Sequence, residues 1–524
     1  MISTVRLLTA RSSRHSTLLQ RVPTSVRCHS TGALPKPTLD FAHIRANAKA
    51  IDENICIRKA RTAGEDANEV GPAQRVAAMY SRVVELRQSL DQLRAQRKQL
   101  GKQIRGSDSD SQAAKAAAKE IKDQFQQQEA ELKKLEHEMQ HLALTIPNST
   151  HPSVPIGDES KAVVVSTYPA NFTPTTTATT TATAATATAT AGADGLATKI
   201  VDHVAIAKEL DLVDFETASA ASGNSFYYLK RELALMEMAL IQFAMSKALK
   251  RGFVPVSPPD VVRVNLAESC GFRPRDSEAG QTYYVSSHHS QQQQQQNQPQ
   301  QQHQQHELCL SATAEIPLAG LLANAITPER KLPLKYVAFG RAFRAEAGAR
   351  GSDTRGLYRV HQFSKVELFV ATTPTQSDEM LEEIRELQQE ILQDLGIPFR
   401  VLNMPSEELG ASAVKKYDME AWMPGRKSGA DELSKWGEVS SASNCTDYQA
   451  RRLGIKYITQ TVGEPNQFVH TLNGTACAVP RILIAILENF AQLNPETGSL
   501  EVAIPRVLHP WMMGITKITR SQSS

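Results

Sequence analysis

Between Phe339 and Phe369 the chain reads FGRAFRAEAGARGSDTRGLYRVHQFSKVELF, with five arginines (Arg341, Arg344, Arg350, Arg355, Arg359) inside 19 residues against only Glu346 and Asp353. Guanidinium is permanently charged and offers a planar fork that bonds oxyanions two at a time, so arginines gathered on a glycine-containing loop suit phosphate. Apolar stretches bracket the loop. Read as strands, they place Arg344 with Glu346 on one face, and likewise Phe363 with Lys365 and Glu367. A cation, a carboxylate, an aromatic plate and a second carboxylate on one face can hold a nucleotide base, its phosphate and an ammonium group. The bland alternative, a solvated basic loop, gives that alternation no purpose.

Such residues need a rigid frame. Strands are expected over 334–345 and 358–370 around the loop, and over 253–256, 397–403, 435–441 and 467–473; helices are expected over 229–250, 376–395 and 480–493. Strands joined by tight or charged loops, with helices in groups, predict an α+β fold built on an antiparallel sheet flanked by helices. Ahead of it, Val76, Met79, Val83, Leu86, Leu90 and Leu93 follow 3,4 spacing, and Ile121, Phe125, Leu132, Leu135, Met139 and Leu142 repeat it after a Gly/Ser/Asp turn. Two such seams predict an N-terminal antiparallel coiled-coil arm over about 75–144, each helix roughly 45 Å long. A purely structural coiled coil is the plainer reading of that segment.

The remaining features bound the class. A chain of 524 residues predicts two to four domains, and 41% hydrophobic content allows a sizeable core. The net charge of +3 is too small for a whole-molecule electrostatic footprint, so nucleic-acid binding needs a local patch. The six cysteines include no C-x-x-C pair, and no run of 18 apolar residues exists to span a membrane. Residues 174–191, nearly all Thr and Ala, and 289–306, mostly Gln, read as disordered surface insertions. Before Asp40 there is no acidic residue, while Arg6, Arg11, Arg14, Arg21 and Arg27 lie among serines and threonines. That is the composition of a transit peptide, favouring the mitochondrial matrix, with cleavage between residues 25 and 38.

Several motifs carry a resemblance. Arg344-Ala345-Glu346 with the arginine-rich loop and Phe363 resembles motif 2 of the class II aminoacyl-tRNA synthetases. Thr475-Ala-Cys-Ala-Val-Pro-Arg481, entering an apolar helix, resembles motif 3, and Gly252-Phe-Val-Pro-Val-Ser-Pro258-Pro259 after a long helix resembles motif 1, the dimerising helix–strand. Thr313-Ala314-Glu315, His361 to Glu367, Glu438-Val439-Ser440-Ser441 with Asn444 to Arg452, and Asn473-Gly-Thr475 are similar to the seryl-tRNA synthetase family, mitochondrial type, as are the helical hairpin and its exit Ile146 to Pro155. The similarity covers roughly 38–165 and 195–515. Three positions depart from the family pattern, Ala312, Cys477 and Pro480, none of them assigned to chemistry.

The resemblance implies activation of L-serine by ATP to seryl-adenylate and pyrophosphate, then transfer of serine to the 3′ end of tRNA-Ser. It implies an ATP site of Arg344, Ala345, Glu346, Phe363, Glu438, Val439, Ser440, Ser441 and Arg481, with Arg344 and Arg481 catalytic. Glu438 and Ser441 would hold Mg²⁺, a carboxylate and a hydroxyl being hard oxygen ligands. Thr313, Ala314, Glu315, Arg344, Glu367, Asn473 and Thr475 would bind L-serine. The arm would bind tRNA-Ser, and the enzyme would be a homodimer without a membrane partner. The implied organisation is a transit segment to 37, a tRNA-binding domain over 38–160, a linker over 161–198, a catalytic domain over 199–515 and a tail from 516. A synthetase-like binding protein should lack Arg344, Glu346, Glu438 or Arg481, and all four are present. An enzyme charging a carrier protein should lack the arm, a coiled-coil scaffold does not account for residues 310–481, and a threonine-specific relative should carry a Cys/His zinc site, for which there is no suitable cluster.

Overall fold

The computed structural model describes residues 27–28, 34–60, 70–106, 112–172, 202–272, 281–285, 308–346, 356–426, 435–461 and 463–520. Most of the expected transit segment, the Thr/Ala and Gln blocks, and Arg350 and Arg355 lie outside the described residues. Thirteen elements position the site: helices α1 (Pro72–Gly106), α2 (Gln112–Thr145), α3 (Arg231–Lys250), α4 (Ser377–Asp394) and α5 (Val479–Phe490), and strands β1 (Val163–Tyr168), β2 (Val254–Val256), β3 (Leu334–Phe343), β4 (Gln362–Thr372), β5 (Phe399–Asn403), β6 (Lys415–Trp422), β7 (Trp436–Asn444) and β8 (His470–Ala478).

The eight strands form one sheet in the order β1-β5-β6-β7-β8-β4-β3-β2. Its pairing is antiparallel except at one edge, where β2 runs parallel to β3 with Val254 opposite Tyr336. The expectation of an antiparallel sheet is corrected to a mixed one, because the long connection from Val256 to Leu334 lets the chain return in the same direction. One face lies under α3, α4 and α5. Leu233, Met236 and Leu240, then Leu381, Ile384 and Leu387, then Ile482, Leu483 and Ile486, pack on Val366, Leu368, Val370, Met419, Val439 and Leu472. Each fully buried Leu or Ile contributes about 1.5–3 kcal/mol relative to exposure. The helices sit close: a Cβ on Gly474 of β8 would lie 2.4 Å from Ile384 of α4. The other face carries Lys365 and Glu367 on β4 and Asp418 and Glu420 on β6; a second core, in which Ile316, Leu318 and Leu453 join Ala338, Phe369 and Ala371, covers part of it, and the site takes the rest.

Several boundaries differ from expectation. β3 stops at Phe343 and β4 starts at Gln362, so Arg344 and Glu346 lie beyond the strand, and Glu346 has a φ of +46° that no strand accommodates. Strand alternation therefore does not place those two side chains. The helix expected to reach 493 ends at Phe490, because Ala491–Leu493 pairs with Leu500–Ala503. Strands β1 and β6 were not anticipated.

The N-terminal part is a separate packing unit. Val76 and Val83 near the start of α1 share a core with Met139 and Ala143 near the end of α2, so the two helices run antiparallel. Ile55 and Ile146 complete that core. Ion pairs Arg82–Glu131 (2.9 Å) and Arg87–Glu136 (2.6 Å) cross between the helices. The unit is riveted to the sheet domain through buried Arg58, which donates to the carbonyls of Gly410 (2.6 Å) and Ala413 (3.0 Å), and through Asn148, which donates to those of Ser412 and Cys445 (both 2.8 Å).

Candidate active site

A cleft with about 540 Å³ of space opens on this second sheet face, lined by Arg344, Glu346, Tyr358, Arg359, Phe363, Lys365, Glu438, Val439, Ser440, Ser441, Thr475 and Arg481, among others. Its mouth is a set of paired charges. The Arg344 guanidinium carbon stands 5.2 Å from the centroid of the Phe363 ring. Arg359 pairs with Glu346 at 3.3 Å. Arg481, in the first turn of α5 behind Pro480, contacts the Glu438 carboxylate at 3.2 Å and donates to the Glu438 carbonyl at 2.8 Å. It also lies 4.6 Å from the Tyr358 ring centroid. Burial works to raise the Glu438 carboxyl, but Arg481, then Lys416 and Arg344, outweigh it and hold the group down at about 2. Burial and the neighbouring Arg481 lower the Arg344 guanidinium from its ordinary value.

Two β-bulges set the register of this face. Between β6 and β7, Glu420 faces Glu438 and Asp418 faces Ser441, so Val439 is the extra residue and Glu438 and Ser441 come onto the same side despite being three apart. Val439 turns into the core at 1% exposure. Between β4 and β8, Val366 faces Cys477 while Glu367 faces Thr475, so Ala476 is the extra residue and Thr475 is brought opposite the carboxylate.

Behind the cleft lies a buried polar recess. Lys365 and Glu367 pair at 2.7 Å with 8% and 2% of their side chains exposed. Thr475 Oγ1 donates to Glu367 Oε2 at 3.4 Å. Glu315 Oε1 accepts from Gln449 Nε2 (2.7 Å) and Asn473 Nδ2 (2.9 Å), and the Glu315 N–H donates to Thr313 Oγ1 (3.3 Å). Burial first, then the charge of Glu367, pushes the Glu315 carboxyl up to about 7, against the opposing Gln449 bond. A cationic cleft that opens onto a recess with two carboxylates is suited to joining a polyphosphate to a small amino-bearing molecule.

The comparisons with known proteins agree with that arrangement. The chain matches the family models described as "Seryl-tRNA synthetase N-terminal domain" over residues 38–150 and "tRNA synthetase class II core domain (G, H, P, S and T)" over 297–490. It is 38% identical over 480 residues to the mitochondrial serine–tRNA ligase of Schizosaccharomyces pombe, covering 90% of this chain and 88% of that one. The chain belongs to the serine–tRNA ligase family. The serine–tRNA ligase of Treponema denticola is 37% identical, over 90% of this chain and 98% of that one. The seryl-tRNA synthetase of Pyrococcus horikoshii complexed with ATP superposes with a TM-score of 0.75 at 32% identity, covering 92% of this chain and all of that one.

Against that family membership, each expected site residue has a definite place. Arg344, Glu346, Phe363, Glu438, Val439, Ser440, Ser441, Thr475 and Arg481 border one cleft. Thr313, Glu315, Glu367 and Asn473 join it through the recess bonds, and Ala314 is buried beside them at 5% exposure. Three residues turn no free polar side chain into the cleft. Val439 points into the core, the Ser440 hydroxyl donates to the Thr475 carbonyl, and Ala345 is not on the cleft wall, its N–H bonding the Gln281 carbonyl. His361 ties down the chain beyond β3: its Nδ1 donates to the Arg344 carbonyl at 2.9 Å, and its backbone accepts the Arg344 N–H. Lys365 and Gln449 were assigned no role from sequence. The alternation of Phe363, Lys365 and Glu367 could have flagged the lysine; nothing local marks Gln449, whose partners lie 134 and 22 residues away.

Proposed function

We propose that this chain is an ATP-dependent, AMP-forming serine–tRNA ligase whose cleft binds ATP and whose recess binds L-serine. Arg344 meets the α-phosphate and Arg481 the outer phosphates; both are fixed in place before substrate arrives, so they oppose developing negative charge without reorganising. Glu346 accepts from the adenine amino group, and Phe363 offers its ring to the base. The serine carboxylate attacks the α-phosphorus and pyrophosphate leaves, so no protein nucleophile is required. The carrying observation is that Thr475 and Lys365 belong to both compartments.

Within the recess the two acids divide the work. Glu367 already has Lys365 as its cation and Thr475 as its hydroxyl partner, so it is the acceptor for the serine hydroxyl. Glu315 has amide partners, and an ammonium group completes its charge. Alanine keeps the ammonium but lacks the hydroxyl, so the buried Glu367 loses that donor while Lys365 and Thr475 both sit on its Oε2, which supports rejection by about 10⁴–10⁵. The donor set at Glu438 and Ser441 fits Mg²⁺: a carboxylate held ionised and a hydroxyl on the same face. Bound there, the ion supplies positive charge to the polyphosphate.

The wider assignments follow the same reading. The antiparallel pair α1–α2 presents Arg87, Arg94, Arg97 and Lys98, with Lys119 and Lys122, to solvent, a surface for the backbone of tRNA-Ser. The motif 1 pair α3–β2, with β2 at the sheet edge and Met238 and Leu249 of α3 exposed, provides the homodimer face. The acid-free N-terminus directs the enzyme to the mitochondrial matrix.

Serine-dependent ATP–pyrophosphate exchange tests the proposal, with alanine and threonine as controls; exchange with serine alone is expected, and none with serine would sink it. A second measurement concerns pH. Because Glu315 titrates near 7 and the ammonium needs its ionised form, protons compete with serine as pH falls through 7. KM for serine should rise about tenfold per unit at lower pH and level off above 8. Glu315→Gln should raise KM and flatten the profile; an unchanged profile in that variant would remove Glu315 from ammonium recognition.

A further inference from the structure

Among the described residues, one group has the composition of a metal site outside the cleft: Asp202, His203 and Glu488. Its donor atoms are already engaged with protein. The Glu488 side chain, fully buried on α5, accepts from His203 Nδ1 (2.9 Å) and from the backbone N–H groups of His203 (3.1 Å) and Gly425 (2.9 Å). His203 Nε2 accepts the Leu357 N–H at 3.3 Å, so the ring proton sits on Nδ1 and is donated to Glu488. Asp202 accepts the Val204 N–H and caps the short helix His203–Glu209. A metal would have to break these bonds.

What the cluster holds is more telling than what it lacks. Leu357 lines the cleft at the return of the arginine-rich loop, and the next residue, Tyr358, passes its carbonyl to Arg481 Nε at 3.3 Å. Arg481 and Glu488 are seven residues apart on α5, hence on one face, two turns along. The returning loop is thus pinned to α5 twice, once by Arg481 directly and once by Glu488 through the imidazole. The second segment that Glu488 holds, at Gly425, leads into Arg426, which stacks 4.6 Å from the Tyr358 ring centroid. Gly356 makes the approach possible: its φ is +72°, and a Cβ there would lie 2.2 Å from His203 Nε2.

We propose that His203, held by Glu488, is a positioning residue for the nucleotide half of the reaction. It fixes the return of the arginine-rich loop so that Tyr358, Arg359 and, through Arg359, Glu346 stand ready for ATP. This rests on the assignment of the cleft to ATP. The recess bonds of Glu315 and Glu367 do not involve His203, Leu357 or Glu488.

The test compares His203→Ala, His203→Gln and His203→Asn in serine-dependent pyrophosphate exchange, with thermal unfolding measured with and without ATP. A glutamine places its amide oxygen where Nε2 stands and can accept from Leu357; an asparagine reaches only the Nδ1 position. The alanine and asparagine variants should raise KM for ATP about tenfold, with KM for serine within about twofold, and glutamine should restore most of the loss. ATP should raise the melting temperature of the unaltered chain and of the glutamine variant, and less so of the asparagine variant. Equal KM changes for ATP and serine, or equal values for glutamine and asparagine, would overturn the inference. If the unaltered chain gave no exchange, the proposed function would fall instead, and the ATP-dependent melting of the two amide variants would still decide the role of His203.

Discussion

Replacing Arg344 by alanine lowers serine-dependent pyrophosphate exchange by about 10²–10³-fold, the loss falling mainly on kcat. The guanidinium lies 5.2 Å from the Phe363 ring centroid, buried within electrostatic reach of Arg481 and Glu438, and its backbone is fixed from both sides by His361. It is therefore preorganised where charge builds up, and its loss leaves Arg481 alone to meet that charge. Lysine is a poor replacement, because a point charge on a flexible stem supplies neither the fork nor the flat contact with the ring. Arg344→Lys should recover no more than about a tenth of the activity. Exchange within about threefold of the unaltered enzyme in Arg344→Ala would remove the residue from the chemistry.

The second large effect separates the two half-reactions. Excising residues 87–131 and closing the gap with a short Gly/Ser turn should leave exchange within about twofold while lowering tRNA charging by 10³-fold or more, about the loss expected when several phosphate contacts vanish together. The cut spares the base of the hairpin, where Val76, Val83, Met139 and Ala143 pack on Ile55, and it leaves the Arg58 and Asn148 rivets intact. Both rates should be measured on the same preparation. Loss of both would mean that the sheet domain needs the helical pair to fold; retention of charging would mean that tRNA is recognised elsewhere.

Both effects were visible in outline from the residues. The arginine-rich segment declared phosphate chemistry through residue type alone, and the two apolar seams declared a helical pair through spacing alone. The strand β6 is equally legible, since Tyr417, Met419 and Ala421 alternate with Lys416, Asp418 and Glu420, although its charged residues make it less apolar than its neighbours. Strand alternation does not place Arg344 and Glu346, although both border the cleft. They arrive there on the irregular chain beyond Phe343, tied down by His361.

Chemistry that depends on residue identity and on neighbours within a few positions could be read directly: which side chains suit phosphate, where helices and most strands run, and which family the motifs resemble. Side-chain facing and partnership could not. The bulges at Val439 and Ala476, each one residue long, turn Glu438 toward the side of Ser441 and bring Thr475 opposite Glu367. Neither leaves a local mark, because a bulge is a property of two paired strands. The bonds from Glu315 to Gln449 and Asn473 span 134 and 158 positions, and that from His203 to Glu488 spans 285. Burial also acts at that level. It is the packed surroundings, together with Glu367, that lift Glu315 toward neutrality, and the converging cations that keep Glu438 charged.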